Sequence, residues 1–304
     1  MNSISSDTLS AAPADPQADQ QTAVALEPPP ASRVTRAYRA ARSLIFLLAF
    51  SVYLLVVIAV GNRLLIPPLL KIFPRHSLRI RRAWLRLHAI ATTRLARTLG
   101  GMRLKVQGAI PRESAVVVMN HQSVMDIPVG VLLIAGPYPI IPTRDRYARA
   151  SVPGMPSLIR LLRFPIVSQK RENLRAELPA IGEAADATAR GDNSMLIFAE
   201  GHRTRDGQIG PFMRSGLRLV LERAKRPVYC IVADGLWHAR TAFDAATGFA
   251  GATCSVRILG PFAPPSSDLD RYIDELRDRM VATLNDMRSS RSPSESGASS
   301  APAA

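Results

Sequence analysis

Two stretches of this 304-residue chain constrain its fold more than any other, because each is an apolar run that ends in a polar turn. Residues 115–119 read Ala-Val-Val-Val-Met and are followed by Asn120 and His121; residues 194–198 read Ser-Met-Leu-Ile-Phe and are followed by a charged, glycine-containing turn at 199–205. Short apolar runs rich in β-branched residues predict buried strands. Sites in open α/β sheets form beyond the carboxyl ends of strands, so we expect the two turns to face one crevice.

The remaining periodicity alternates between strand and helix. Further strands are predicted at 102–107, 138–141, 166–168, 227–232 and 255–259, and helices at 77–99, 123–135, 173–190, 215–225 and 267–287. The stretch 143–163 is basic and is predicted to be irregular. Strands that alternate with helices favour an α/β domain over residues 100–287, with a mostly parallel sheet flanked by helices.

An uncharged apolar run precedes this domain, at residues 43–62 between Arg42 and Arg63. Twenty residues of helix rise about 30 Å, enough to cross the hydrocarbon core of a bilayer. The basic helix that follows at 77–99 carries Trp84 among leucines and arginines, which is typical of a membrane interface. We therefore predict membrane-anchoring helices at 33–99; a buried soluble helix and a face packed on its own domain stay open as alternatives.

The charge is strongly positive, with a formal net charge of +15, and nearly all of it comes from arginine. Arginine suits bidentate recognition of phosphate and carboxylate, so the composition indicates an anionic partner: nucleic acid, lipid head groups or a phosphorylated substrate. The terminal segments 1–32 and 288–304 are rich in Ser, Ala and Pro and are predicted to be disordered. If the run at 43–62 spans a bilayer, the excess of basic residues after it places the following domain in the cytoplasm.

The two cysteines, Cys230 and Cys254, are isolated and lack metal-ligand spacing. They are predicted to be buried thiols in a reducing compartment. No combination of Cys and His in the sequence has the spacing of a metal site.

His121 and the carboxylate five positions later, Asp126, allow two interpretations. The pair is a candidate catalytic base with its orienting acid. Alternatively, Ser123 and Asp126 form an S-x-x-D capping box that begins a helix. Ser123 itself is predicted to be the helix N-cap rather than a nucleophile, because Ser is strongly preferred at that position.

The polar turns carry a resemblance to a known family. Asn120–Asp126 matches the N-H-x-x-x-x-D block of the glycerolipid acyltransferases, 198–203 is similar to their F-P-E-G-T-R block, and 212–216 resembles the F-K-x-G segment that follows. Pro227-Val228 resembles the start of the last block. The basic residue of the intermediate block is Lys170 or Arg171, of which we take Arg171 as the candidate. The resemblance covers about residues 100–260 and is strongest to the bacterial lysophosphatidate acyltransferases.

This resemblance implies transfer of an acyl chain from an acyl-coenzyme A or acyl-carrier-protein thioester to lysophosphatidate. It implies that His121 is the base and that Asp126 orients it. The residues implied to bind the acceptor's phosphoglycerol are Glu200, Gly201, Arg203, Arg214 and Arg171, with Asn120 and Ser123 in supporting positions. No cofactor and no metal are expected, membrane lipid is the expected partner, and the bacterial inner membrane is the expected location, with the catalytic domain in the cytoplasm.

The sequence departs from the family pattern at two positions, Ala199 for the usual Pro and His202 for the usual Thr. His202 lies next to the expected phosphate-binding arginine, so another lysolipid acceptor, such as a lyso-amino-lipid, is an alternative that would keep His121 and relax the need for Arg203. A non-catalytic lipid-binding relative is a second alternative. Nucleic-acid binding is permitted by the charge, but no recognition motif supports it. We expect deletion of residues 33–99 to abolish activity on a bilayer substrate.

Overall fold

A computed structural model describes residues 33–149, 154–168, 174–239 and 251–290. The predicted tail at 1–32, most of the predicted tail at 288–304, and both Lys170 and Arg171 lie outside these ranges.

The core of the fold is a six-stranded mixed sheet with the strand order β1-β8-β7-β2-β6-β3. Strands β2, β3, β6 and β7 are parallel to one another, whereas β8 pairs antiparallel with β7 and parallel with β1. The strands are β1 Arg103–Gln107, β2 Val116–Met119, β3 Tyr138–Ile140, β6 Asn193–Phe198, β7 Val228–Asp234 and β8 Thr253–Phe262; β4 Thr143–Arg144 and β5 Ile166–Val167 form a separate two-stranded sheet. The predicted α/β fold with a mostly parallel sheet is confirmed.

Helices cover the sheet and complete the core. They are α1 Arg33–Val52, α2 Ile66–Ile72, α3 Ser77–Thr98, α4 Asp126–Leu133, α5 Asp145–Ala148, α6 Met155–Leu162, α7 Leu174–Arg190, α8 Arg214–Ala224 and α9 Leu269–Ser289. Strand β2 lies between β6 and β7, and all four of its residues are buried. This central position explains the unbroken apolar sequence of β2, since a strand covered on both faces has no solvent side.

The N-terminal helices form an antiparallel hairpin. Helix α1 continues through two π-helical segments, Tyr53–Ile58 and Gly61–Leu65, into α2, and α3 then runs back. At the open end of the hairpin, the Arg42 guanidinium donates hydrogen bonds to the carbonyls of Thr98 (2.7 Å) and Leu99 (2.8 Å), where the last carbonyls of α3 lack intrahelical partners. The segment Ala40–Ile72 is long and apolar enough to cross a membrane, and most of it is exposed.

The hairpin and the sheet share one hydrophobic core. Phe46, Leu85 and Ala96 of the hairpin belong to the same buried cluster as β2. Polar contacts join them as well, because Arg81 Nε donates to the Leu161 carbonyl (2.8 Å) and Arg82 donates to the Ala135 carbonyl (2.8 Å). Residues 33–99 and 100–287 are therefore separate segments in the sequence, but they share one packed core.

Three local predictions were wrong. The stretch 143–163 is not irregular but contains β4, α5 and α6; these elements are too short to show a clear period. The helix predicted at 123–135 begins at Asp126 and ends at Leu133, because 123–125 form a turn that is held by side-chain hydrogen bonds. The C-terminal tail does not begin at 288, since α9 continues to Ser289 and the Arg288 side chain pairs with buried Asp234.

Both cysteines are free and buried, as predicted. Burial raises the pKa of the Cys230 thiol to about 12, so this thiol stays protonated and unreactive at neutral pH.

Candidate active site

The register between β2 and β6 brings the two polar turns together. Met119 pairs with Phe198, so the residues two positions beyond each strand end, His121 and Glu200, face each other at the carboxyl edge of the sheet. The His121 N–H donates to Glu200 Oε1 (3.0 Å), and the Thr204 N–H donates to the His121 carbonyl (2.8 Å). The two turns therefore form one connected crevice wall, as expected from their place after parallel strands.

His121 and Asp126 form a hydrogen-bonded pair. His121 Nδ1 lies 2.9 Å from Asp126 Oδ2, and the side chains are 12% and 1% exposed. Asp126 Oδ2 also accepts from the backbone N–H groups of Gln122 (2.5 Å) and Ser123 (2.7 Å). With Nδ1–H directed at the carboxylate, the imidazole lone pair is on Nε2, which has no hydrogen-bond partner among the described residues.

Burial lowers the pKa of His121, while the hydrogen bond and charge of Asp126 act in the opposite direction. The imidazole is consequently neutral at neutral pH, and Asp126 is placed to stabilise the imidazolium once a proton arrives. A neutral imidazole with a carboxylate behind it is the arrangement of a general base.

The same Asp126 oxygen accepts from His121 and from the Ser123 backbone N–H, so the carboxylate contacts the imidazole and also holds the turn before α4. The capping-box interpretation is wrong, since Asp126 is the first residue of α4 and no side chain caps that helix. Ser123 is fully buried; its hydroxyl donates to the Ala239 carbonyl (2.5 Å) and accepts from the Met125 N–H (3.3 Å). The predicted N-cap role of Ser123 is wrong, because α4 begins at Asp126 and its N-cap is Met125. The Ser123 hydroxyl instead anchors the turn before the helix and has no open side for attack on a substrate.

Both the sequence and the fold are similar to those of known proteins. Residues 103–234, from the first residue of β1 to the last of β7, match the family model described as Acyltransferase. The matched segment includes both polar turns, 120–126 and 199–205. The fold is similar to the crystal structure of the 1-acyl-sn-glycerophosphate (LPA) acyltransferase PlsC from Thermotoga maritima, with a TM-score of 0.62 and 19% sequence identity over 84% of this chain and 99% of that one. No curated protein matches the sequence significantly.

Asn120 supports the turn 120–126 from the β7 side. Its amide donates to the Ala233 carbonyl (2.9 Å) and accepts from the Ala233 N–H (2.8 Å), so the side chain extends the β2–β7 ladder past the strand end. His121 is held in addition by ring stacking on Phe198, with a centroid distance of 4.2 Å. The sequence predicted a supporting position for Asn120, and these contacts describe how it supports the turn.

Glu200 is buried and holds two loops of the α/β domain together. One carboxylate oxygen accepts from His121 N–H and the other from Gly210 N–H (2.9 Å). Burial raises the pKa of Glu200, and these two hydrogen bonds oppose that shift. Direct contact of Glu200 with an acceptor hydroxyl stays a prediction, whereas its contacts with both turns are present in the structure.

Gly201 allows the sharp turn after β6. Its φ of +70° lies in the left-handed region that favours glycine, and a Cβ there would collide with the Met213 side chain. A side chain at this position would thus displace either the turn or the segment before α8.

Arg203 lies in a cluster that the sequence reasoning missed. The Tyr147 hydroxyl accepts hydrogen bonds from both Arg203 and Arg146 (2.8 Å for Arg146), and both guanidiniums lie over the Tyr147 ring, at 4.8 Å for Arg146 and 5.9 Å for Arg203. Burial and the charges of Arg146 and Arg203 lower the pKa of Arg144 in the same group. The only sequence signal was the dense basic run at 143–149, which was interpreted as an irregular loop.

Arg214 is not brought to this cluster. Its guanidinium pairs with Asp274 (2.7 Å) and Asp270 (3.2 Å) of α9. Arg171 lies outside the described residues, so its predicted contact stays a prediction. Among the described residues, no group of three or more His, Cys, Asp or Glu is arranged to hold a metal ion.

Proposed function

We propose that this protein transfers an acyl chain from an acyl thioester to the free hydroxyl of lysophosphatidate, producing phosphatidate. The observation that carries the proposal is the position of the His121–Asp126 pair beside a cluster of three arginines, Arg203, Arg146 and Arg144, at one edge of the sheet. A base and an anion-binding group are the two elements that acylation of a phosphorylated alcohol requires.

The chemistry follows from the free nitrogen of His121. Nε2 accepts the proton of the acceptor hydroxyl while the hydroxyl oxygen attacks the thioester carbonyl. The carbon–sulfur bond then breaks, and the imidazolium returns the proton to the departing thiolate. General-base catalysis of this kind contributes about 10²- to 10⁴-fold. The buried, bonded hydroxyl of Ser123 makes direct transfer, without an acyl-enzyme, the simpler route.

The arginine cluster supports a phosphate on the acceptor. Three guanidiniums close together repel one another, and an anion between them would relieve that repulsion. Among the described residues, Arg146 donates one hydrogen bond, to the Tyr147 hydroxyl, and its other N–H groups can bind a ligand. The acyl donor, whether an acyl-coenzyme A or an acyl carrier protein, supplies the thioester and is the co-substrate.

The hairpin supports an action at the membrane surface, and its contacts favour insertion into one leaflet over a crossing. Its exposed apolar side chains include Leu48, Val52, Leu55, Val56, Leu64, Leu65, Ile72 and Phe73. However, Asn62 near the far end of α1–α2 bonds the Gly154 carbonyl and the Ser157 hydroxyl (3.2 Å each), and Arg81 bonds α6. A crossing helix would draw these parts of the catalytic domain into the hydrocarbon core. We place the protein on the bilayer surface, with the cytoplasmic face of a bacterial inner membrane as the proposed side.

His202 is the observation that favours a second candidate, acylation of a different lysolipid. It is exposed, replaces the usual threonine, and is close enough to His121 for its charge to lower the pKa of that histidine. The imidazole of His202 offers an acceptor head group other hydrogen-bonding groups next to Arg203 than a threonine would.

The experiment offers membranes containing the protein a panel of lysolipid acceptors, with an acyl-coenzyme A donor and, separately, an acyl-carrier-protein donor. Wild type is compared with His121→Ala, Arg203→Met and, as a control for loss of a surface arginine, Arg190→Met, whose side chain is 63% exposed. The proposal is supported if wild type and Arg190→Met prefer lysophosphatidate as acceptor and if His121→Ala and Arg203→Met lose its acylation. Preference for a lysolipid without phosphate, unaffected by Arg203→Met, would replace lysophosphatidate by the second candidate. Absence of transfer with every acceptor and both donors would favour a non-catalytic lipid-binding protein.

Deletion of residues 33–99 is a poor test of anchoring, because it would also remove Leu85, Ala89 and Ala96 from the core that contains β2. We still expect the deletion to abolish activity, and the shared core is now a sufficient reason for that loss.

A further inference from the structure

Helix α9 lies beyond the segment 103–234 that matches the acyltransferase family, yet two of its arginines reach the loop after β6. Arg277 Nε donates to the Gly210 carbonyl (3.0 Å), and one terminal nitrogen of Arg288 donates to the Gly207 carbonyl (2.7 Å). Eleven positions separate the two arginines, which is about three helical turns and places both on one face of α9. Helix α9 therefore holds the loop that carries Arg203 at two points.

Arg288 also pairs with a buried carboxylate. Asp234, the last residue of β7, is 2% exposed, and its two oxygens lie 3.0 Å and 3.3 Å from nitrogens of Arg288. A buried carboxylate at the end of a central strand is costly without a partner, and Arg288 supplies the compensating charge. The apolar face of α9, with Met280 and Leu284 in the core, brings this arginine to the sheet edge.

Gln122 joins this ion pair to the catalytic turn. Its side-chain nitrogen donates to Asp234 Oδ1 (3.3 Å) and to the Gly207 carbonyl (3.2 Å), the same two acceptors that Arg288 uses. Its backbone N–H donates to Asp126 Oδ2 (2.5 Å), the oxygen that also accepts from His121. The side chain of Gln122 thus determines where its backbone, and with it the Asp126 carboxylate, is held.

Gly207 permits the close approach that this network needs. Its φ is +80°, and a Cβ there would lie 2.9 Å from the Arg288 guanidinium and 3.0 Å from the Trp237 ring. Arg288 therefore depends on Gly207 in two ways. Its guanidinium donates to the Gly207 carbonyl, and it occupies the space that a side chain at 207 would fill.

We propose that Arg288 is a positioning residue of the active site, acting with Asp234 and Gln122. It holds the catalytic turn 120–126 and the arginine-bearing loop 201–210 in one fixed relation, so that base and acceptor-binding group face the same substrate. The kinetic consequences of this inference rest on the proposed function; its consequences for the loop do not.

The kinetic test compares four variants of the full-length protein with wild type. Arg288→Met removes the cation beside buried Asp234, so both the melting temperature and kcat/KM for the acceptor fall, the latter by about 10- to 100-fold, as expected for small misplacements of reacting groups. The double variant Asp234→Leu with Arg288→Met removes the buried charge and fills the space, so the melting temperature recovers. In that double variant Gln122 lacks one of its two acceptors, Asp234, and the loop lacks its bond to Arg288, so kcat/KM stays low. Asp234→Leu alone completes the cycle, and Arg271→Met, a 77% exposed arginine on the same helix, is the control without effect.

The outcome that would overturn the proposal is recovery of kcat/KM together with the melting temperature in the double variant. In that case the ion pair would be structural only. Wild-type transfer with unaltered kinetics in Arg288→Met would overturn it as well, while leaving the proposed function intact.

A second measurement does not depend on activity. The loop 201–210 contains Arg203 and exposed Arg205, so trypsin can report its opening, with the cleaved bond identified by mass spectrometry. At a temperature where all proteins remain folded, we expect cleavage after Arg205 about tenfold faster in Arg288→Met than in wild type or Arg271→Met, because local opening exposes the loop. Equal cleavage rates would overturn the proposal even if no acyl acceptor were found.

Discussion

The crevice at the sheet edge and the N-terminal hairpin each contain a histidine that is largely shielded from solvent, and the two histidines differ in their partners. His121 lies at the sheet edge with Nδ1 against the Asp126 carboxylate. His88 of α3 lies inside the hairpin, where Nδ1 is bonded to the Tyr53 hydroxyl and the ring lies edge-on to Trp84 at a centroid distance of 4.3 Å. Within the described part of the chain, His88 Nε2 has no hydrogen-bond partner.

This difference separates the proposed catalytic role of His121 from a structural role of His88. Burial lowers the pKa of His88 to about 4, whereas in His121 a carboxylate opposes the lowering. An imidazole without an anionic partner resists protonation at any pH where the protein works, so His88 remains a neutral packing group. An imidazole with an anionic partner can take a proton in a transition state and return it.

The largest expected effect comes from His121→Ala. Transfer activity falls about 10²- to 10⁴-fold because the proton acceptor is lost, while the melting temperature changes little. The measurement is kcat per folded molecule alongside a thermal melt. His88→Ala is the matched variant, and a loss of kcat there that equals the loss in His121→Ala would remove the distinction between the two histidines.

Asp126→Asn tests the carboxylate itself. The amide can still accept from the Ser123 N–H but cannot stabilise an imidazolium, so kcat falls by about 10²- to 10⁴-fold. In wild type, kcat/KM falls as pH drops through the lowered pKa of His121, below the ordinary value of about 6.5. Since Asp126 raises that pKa, the residual activity of the variant should persist to lower pH than wild type. The pH–rate profiles of wild type and Asp126→Asn measure where kcat/KM falls in each protein. A fall at higher pH in the variant than in wild type would contradict the assigned role of Asp126.

His88→Ala should mainly change stability. Loss of the contacts with Tyr53 and Trp84 leaves a cavity and removes one hydrogen bond of the Tyr53 hydroxyl, and we expect a cost of about 1–3 kcal/mol in the free energy of unfolding. Chemical denaturation in detergent measures this cost. Unchanged stability would show that the hairpin interior does not need the histidine.

The smallest expected effect belongs to Arg42→Met, which removes the cap from the last carbonyls of α3. A cost of about 0.5–1.5 kcal/mol follows from the lost hydrogen bonds, with no change in KM for the acceptor. Arg203→Met should show the reverse, a raised acceptor KM with little change in stability. If both variants raised the acceptor KM equally, the hairpin arginine would belong to the site as well.

The sequence predicted the strands that carry the site to within two residues, because β2 and β6 are buried, apolar and short enough to be bounded by polar turns. The place of His121 and Asp126 after such a strand followed from the same pattern. The cluster around Tyr147 was missed because β4, α5 and α6 are short and their basic residues hide any period. Arg288 was missed because its partner, Asp234, lies 54 positions away and no local pattern connects them.

Local features of the sequence by themselves determined the α/β fold, the apolar N-terminal helix and the spacing that joins His121 to Asp126, since each depends on neighbouring residues. The tertiary structure decided what each arginine does. Arg42 and Arg226 cap the carbonyl ends of helices, Arg214 pairs with acids on α9, Arg288 neutralises a buried carboxylate, and Arg203 lies close to His121. In the sequence, each of these arginines is the same residue with the same single positive charge. The physical role of a charge depends on its partner, and these partners are brought close only by the folded chain.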